Sequence, residues 1–235
     1  MQKGCYPAIR DTPNNFQRQL LQNYFNSIVA SDFIFRNNES NPAACKFFLK
    51  SLITGNASPF TYKKTFNTLR SCGFKISEKH IPQWYEAAME CYLSGVCTIN
   101  SVSPKKISQN YRKTYITDWA MAKAVSGLTH YRLGRNLETA VYWHLVRNKK
   151  RICYTLVGSH KFEIDFLISD GDEKPTTAIQ VCAEINEVDV VERELRGFNE
   201  LNKLFPGIEK IIITAGGTLE KIDEVSVIPA VDWFL

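Results

Sequence analysis

The chain has 235 residues, 44% of them apolar and 23% charged, with a formal net charge of +5. That length allows one large or two small domains, and the composition excludes a disordered or low-complexity chain. No apolar run approaches the ~18 residues of a membrane span, and Met1–Pro13 lacks the apolar core of a secretory signal, so the expectation is a soluble, cytoplasmic protein with no membrane partner. The charge is unevenly placed: residues 1–133 carry 17 basic and 7 acidic side chains, residues 134–235 carry 12 and 17. The front part is the better candidate to meet a phosphate backbone, although a solvated lysine-rich surface gives the same count. Seven cysteines, without a Cys-x-x-Cys pair, read as reduced and mostly buried thiols rather than a zinc site.

Gly4-Cys5-Tyr6-Pro7 opens the chain with a turn. Leu20, Leu21, Tyr24, Phe25 and Ile28 recur at helical spacing and predict one helix over Phe16–Phe35. Asn41-Pro42 starts a second, carrying Phe47, Phe48, Leu52 and Ile53 and stopped by Gly55. These aromatic stripes read as core, and residues 1–57 as a helical lead-in.

Residues 58–130 read as a winged-helix-like domain. Thr61–Ser71 supplies a first helix with Phe66 and Leu69 inward, and Cys72–Ile76 the turn. Ser77 caps a second helix reaching about Ser94, with Ile81, Tyr85, Ala88 and Tyr92 inward and Lys79, His80 and Gln83 toward solvent. Val96–Ser101 and Tyr111–Thr117 read as wing strands joined through Pro104-Lys105-Lys106. A helix bearing Lys79 and Gln83 can enter a DNA major groove while Lys105, Lys106, Arg112 and Lys113 touch phosphates. The same fold used only for protein contacts is the alternative. Asp118–Tyr131 reads as a connector containing the domain boundary.

Residues 131–235 read as α/β. A helix opening at Gly134 carries Leu137, Val141 and Leu145, followed by strands Arg151–Val157, Phe162–Ile168 and Ala178–Ala183. Val188–Phe205 is amphipathic through Val191, Leu195, Phe198 and Leu201, and Lys210–Thr214 and Val225–Ile228 are short strands. Strands alternating with helices argue for an α/β domain. Glu138 on the helix, Asp165 in one strand and Gln180 in the next form a candidate cluster, with Glu163 on the face of Asp165 by the period of two. Buried together, these groups must satisfy one another, a water or an ion, because each orphan costs about 1–3 kcal/mol.

In the order Gly134-Arg135-Asn136-Leu137-Glu138, Glu163-Ile164-Asp165-Phe166 and Ile179-Gln180-Val181, the chain resembles the PD-(D/E)XK nuclease-like superfamily. It is most similar to the C-terminal domain of unknown function in a prokaryotic group of AAA-type ATP-binding proteins. The resemblance implies an α-helical winged-helix-like N-terminal domain, a restriction-endonuclease-like C-terminal α/β domain with a mixed sheet, and an ATPase module ahead of the Gly-aromatic-Pro turn. This chain has no Gly-x4-Gly-Lys-Ser/Thr loop, and Gly216-Gly217-Thr218 lacks the lysine, so it offers no ATP site and the ATPase is expected upstream or on a separate chain.

The superfamily's carboxylates hold Mg²⁺ or Mn²⁺ and a nearby lysine steadies the developing charge. By resemblance, Glu138, Asp165 and Gln180 stand at the catalytic positions, with Glu163 as a fourth group, and Asp165 and Gln180 at the metal. Two positions depart from the pattern: Gln180 replaces an acid and Cys182 replaces the lysine. The expectation is therefore a nucleic-acid- or partner-binding module with a degenerate nuclease-like domain, with an Mg- or Mn-dependent nuclease and a protein-binding scaffold as alternatives. At the level of single residues, Asp165 can instead cap a neighbouring backbone group, Gln180 can be a satisfied buried amide, and Glu138 can favour the positive end of its helix.

Overall fold

Proline and capping side chains set the first helices in the computed structural model, which describes residues 4–127, 132–171, 174–184, 188–216 and 221–235. The chain divides into two units, Met1–Val96 with Tyr111–Tyr131 and Cys97–Asn110 with Arg132–Leu235. The lead-in and the helix-turn-helix thus share one unit, and the segment between the expected wing strands goes with the other. Lys3, residues 128–131 of the connector, Gly217, Thr218 and the side chain of Val191 lie outside the described residues.

In the first unit, α1 (Pro7–Asp11) and α2 (Asn14–Ser27) precede a π-helical stretch, Ile28–Phe35. The single helix expected over Phe16–Phe35 therefore changes winding. Leu21, Phe25, Val29 and Phe33 are buried every fourth residue, a spacing that the looser π turn continues, and it leaves Phe35 85% exposed. α3 (Pro42–Thr54) starts where expected, with Asn41 Oδ1 accepting from the Ala44 N–H at 3.1 Å. β1 (Ser58–Phe60) leads into α4 (Tyr62–Ser71), capped by Thr61 Oγ1 accepting from the Lys64 N–H at 3.3 Å.

α5 (His80–Glu90) is shorter than predicted at both ends. The Ser77 N–H donates to His80 Nδ1 at 3.1 Å instead of the Ser77 hydroxyl capping the helix. Tyr92, placed inward by helical spacing, is 82% exposed with φ 55°, because the helix has ended and the chain reverses there. β2 (Ser94–Ile99) straddles the division between the units, and α6 (Pro104–Gln109), a short helix capped by Ser103, replaces the expected open wing tip. β3 (Arg112–Ile116) pairs antiparallel with β1, Phe60 opposite Arg112. α7 (Trp119–Ser126) closes the unit against α2 and α3. Phe48 is the aromatic hub of this core, 5.6 Å from Trp84 and 6.4 Å from Phe60, whose ring stacks on Tyr85 at 4.6 Å.

The opening turn is held by α7. Asp118 accepts from the Met121 N–H at 2.8 Å as a helix cap, and its second oxygen accepts from the Cys5 N–H and, at 3.2 Å, the Tyr6 N–H. A Cβ on Gly4 would fall 2.8 Å from Asp118 Cγ, so only glycine lets the backbone come that near.

The second unit contains α8 (Leu133–Arg147), β4 (Arg151–Val157), β5 (Phe162–Ser169), β6 (Thr177–Glu184), α9 (Val188–Leu204), β7 (Glu209–Gly216), β8 (Lys221–Ile222), β9 (Val225–Pro229) and α10 (Ala230–Trp233). Thr98 and Ile99 of β2 pair parallel with β4, β4–β5–β6 are antiparallel, β6–β7–β9 are parallel, and β8 pairs antiparallel with β9. The sheet is mixed, as expected. α8 packs over β6, with Tyr142 6.4 Å from Phe166, whereas Phe198 and Leu201 of α9 join Val157, Ile164 and Leu167 in a separate cluster. Phe166 and Leu167 are consecutive, so the two helices cover opposite faces of the sheet.

No helix among the described residues is long and apolar enough to cross a membrane. Of the seven thiols, all free, Cys45, Cys97 and Cys182 are buried, Cys91 and Cys153 half-buried, and Cys5 and Cys72 exposed.

Candidate functional site

The site begins with a register fault. Cys153 pairs with Leu167 but Thr155 with Ile164, so two steps along β4 face three along β5. The extra residue is a β-bulge between Ile164 and Leu167, the stretch holding Asp165 and Phe166. It interrupts the strict alternation from which Glu163 and Asp165 were assigned one face. On the other side, β5 pairs with β6 from Ile168 opposite Thr177 to Phe166 opposite Ile179, and no further.

Beyond that point side chains bridge the two strands. Gln180 Oε1 accepts from the Asp165 N–H at 2.8 Å, and Gln180 Nε2 donates to the Glu163 carbonyl at 2.9 Å. Asp165 Oδ2 accepts from the Val181 N–H at 3.0 Å. The remaining Gln180 N–H goes to Glu194 Oε2 at 2.6 Å, a short bond to a charged acceptor. Both donors and the acceptor oxygen of the amide are therefore engaged.

This fork opens a cavity of about 300 Å³ lined by Glu138, Phe162, Glu163, Asp165, Gln180, Val181 and Glu194. The fold brings the four sequence candidates together there, with Glu138 9% and Gln180 6% exposed. Glu194, only 6% exposed, was not singled out from the sequence. Its signal lay in the pattern of α9: an acid three residues after Val191 and four before Phe198 sits on the apolar side of an amphipathic helix. Gly197, one turn further, allows the approach, since a Cβ there would fall 3.2 Å from Ile164 Cδ1.

The same contacts bear on the expected metal. Asp165 and Gln180, its assigned ligands, each commit an oxygen to a backbone N–H across the fork. Among the described residues no three His, Cys, Asp or Glu side chains stand close enough to hold a metal ion. Cys182, at the lysine position, is 7% exposed and packs into the apolar cluster under α9. Among the described residues no lysine lines the cavity: Lys150 pairs with Asp170 at 2.6 Å and Lys161 is exposed. As arranged, these side chains do not fit a Mg²⁺ or Mn²⁺ site.

The proposed nucleic-acid set is divided between the two units. Lys79, just ahead of α5, and Gln83 on it are exposed, while His80, read as solvated, is half-buried and stacked 5.7 Å from Trp84. The Arg112 guanidinium lies 4.5 Å over the Tyr62 ring, a cation–π contact. Burial pushes the Tyr62 hydroxyl above its ordinary pKa, and Arg112 opposes that shift. Lys113 does not reach solvent: it is 2% exposed, with Nζ 6.0 Å from the Tyr115 ring centroid. The reason is that β3 is covered on both faces, so alternation delivers no outward side there. Lys105 and Lys106 are exposed on α6, which belongs to the other unit.

Residues 1–132 match the family model described as a domain of unknown function (DUF8612). The chain is 30% identical over 207 residues to the uncharacterized protein MJ1544 of Methanocaldococcus jannaschii, a match covering 85% of this chain and 44% of that protein. It thus spans less than half the length of this curated relative. No solved structure matches.

Proposed function

We propose that this chain, which belongs to the DUF8612 family of unknown function, is a nucleic-acid- or partner-binding module without chemistry of its own, the non-ATPase part of an AAA-type ATP-binding protein, as the sequence resemblance implies. The observation that carries the non-catalytic reading is the state of Gln180. A hard cation prefers a charged oxygen at that position and is held more weakly by a neutral amide. Here the group is neutral, and its oxygen and both its N–H groups bond β6 to β5 and α9.

The finer fold assignments belong to the same proposal. Helix, turn, helix and two strands in α4, α5, β2 and β3 favour a winged-helix-like first unit. The order α8, β4, β5, β6, with polar side chains meeting at the fork, favours a degenerate restriction-endonuclease-like second unit. More than half of MJ1544 lies outside the match, which leaves room in that relative for a motor module. A cytoplasmic location follows from the same reading.

Incubation of the purified chain with supercoiled plasmid and millimolar Mg²⁺ or Mn²⁺ tests it. Intact plasmid is expected, together with no calorimetric heat of metal binding. Cleavage that disappears in Asp165→Ala would overturn the proposal.

A further inference from the structure

α3 and α4 of the first unit contain five cations, Lys46, Lys50, Lys63, Lys64 and Arg70, and no carboxylate. All five are exposed, and none forms an ion pair among the described residues. Soluble helices ordinarily intersperse acids among their lysines, one turn apart, so that neighbouring charges offset one another. These two do not. Their surfaces adjoin, because Phe47 of α3 and Lys64, Thr65 and Thr68 of α4 line one common cavity.

Position makes the charge more telling. Lys63 and Lys64 stand in the first turn of α4, where no acid is present and where the helix dipole already places positive charge. An external anion relieves that arrangement. The surface there is an open depression of about 610 Å³ lined by Thr61, Lys63, Lys64, Asn67, Thr68 and Ser71. Thr68 and Ser71 hydroxyls donate to the Lys64 and Thr68 carbonyls, so contacts would come from the ammonium groups and the Asn67 amide. Such a surface suits an extended polyanion rather than a small ligand.

α5, the expected reading helix, is a poorer match. Its exposed side carries Glu86 and Glu90 along with Gln83, Lys79 standing just ahead of it, and acids repel phosphates. We infer that the α3–α4 surface docks the phosphodiester backbone of a nucleic-acid duplex without reading its sequence. The inference rests on the binding-module reading.

Fluorescence anisotropy with labelled DNA and RNA duplexes of one sequence, over a salt series, tests it. The unmodified chain is expected to bind at least one duplex and to weaken steeply with salt. Lys63→Glu/Lys64→Glu should lower affinity by ~10-fold or more and reduce the log–log salt slope by about 2, roughly one unit for each phosphate no longer neutralised. Lys63→Arg/Lys64→Arg should bind as the unmodified chain, and Lys79→Glu/Gln83→Glu should stay within about 2-fold, because α5 does not touch the duplex. Circular dichroism and thermal midpoints show that each variant is folded. Absence of duplex binding, α4 variants that bind normally, weakening confined to the α5 variant, or binding only to anionic vesicles would each overturn the inference. Those results leave the binding-module reading standing, whereas metal-dependent plasmid cleavage removes that reading first.

Discussion

Replacing Gln180 by alanine takes away the pin between β5, β6 and α9. Three partners are left without their bond: the Asp165 N–H, the Glu163 carbonyl and the Glu194 carboxylate. The two neutral bonds contribute about 1 kcal/mol each and the charge-assisted one about 1.5–3 kcal/mol. Part of this is recovered, because the cavity lets water reach the abandoned groups. The expected destabilisation of Gln180→Ala is ~3 kcal/mol, or a midpoint lower by ~12 °C for a unit of this size. Gln180→Glu sharpens the test. At neutral pH it sets a second carboxylate against Glu194 and against the Glu163 carbonyl, all acceptors, so it should cost more than alanine.

The introduced acid would have its folded-state pKa raised by that like-charged neighbour. Its penalty is therefore absent when it is protonated and grows as pH rises through that raised value, so acidification should narrow its gap to the unmodified protein. Urea melts at pH 7 and pH 5 measure both effects. If both variants lie within about 1 kcal/mol of the parent, or if Mg²⁺ raises the midpoint of Gln180→Glu, the amide is not the structural pin argued above.

Asp118→Ala should destabilise the first unit by ~2–3 kcal/mol, since a helix cap and two further backbone donors lose one acceptor, and limited proteolysis should then cut first near Cys5–Pro7. Gly4→Ala should weaken the same anchor through steric contact with Asp118, with a lower thermal midpoint as readout. Burial and Arg147 lower the pKa of His144, whose ring lies 5.4 Å from Phe234 and 6.0 Å from Trp233. The unfolded chain then binds the extra proton first, so stability holds above the unfolded value of about 6.5 and falls as pH drops toward the lower folded value. Subtracting the pH profile of His144→Gln midpoints from that of the parent should isolate this fall. Burial pushes the Cys45 thiol up to about 12. Alkylation at pH 8 followed by mass spectrometry should mark Cys5 and Cys72 first and spare Cys45, Cys97 and Cys182 until denaturant is added.

Local rules were enough wherever a side chain acts on its own neighbourhood. The Asn41-Pro42 start of α3, the Thr61 start of α4 and the strands β4, β5, β6, β7 and β9 were legible because capping and periodicity are short-range. The sequence could also nominate Glu138, Glu163, Asp165 and Gln180, since polar residues inside apolar strands and helices stand out from the pattern. Tertiary packing decided what became of them. A single extra residue in β5, visible only against the register of β4, parts the strands beyond Phe166 and turns Gln180 and Asp165 into backbone partners. Burial of Lys113 likewise depends on what covers the second face of β3, and the engagement of Glu194 depends on how near Gly197 lets α9 approach. Alternation and helical spacing assign a side chain to a face; only the neighbouring layer determines whether that face meets water, another side chain or a backbone amide.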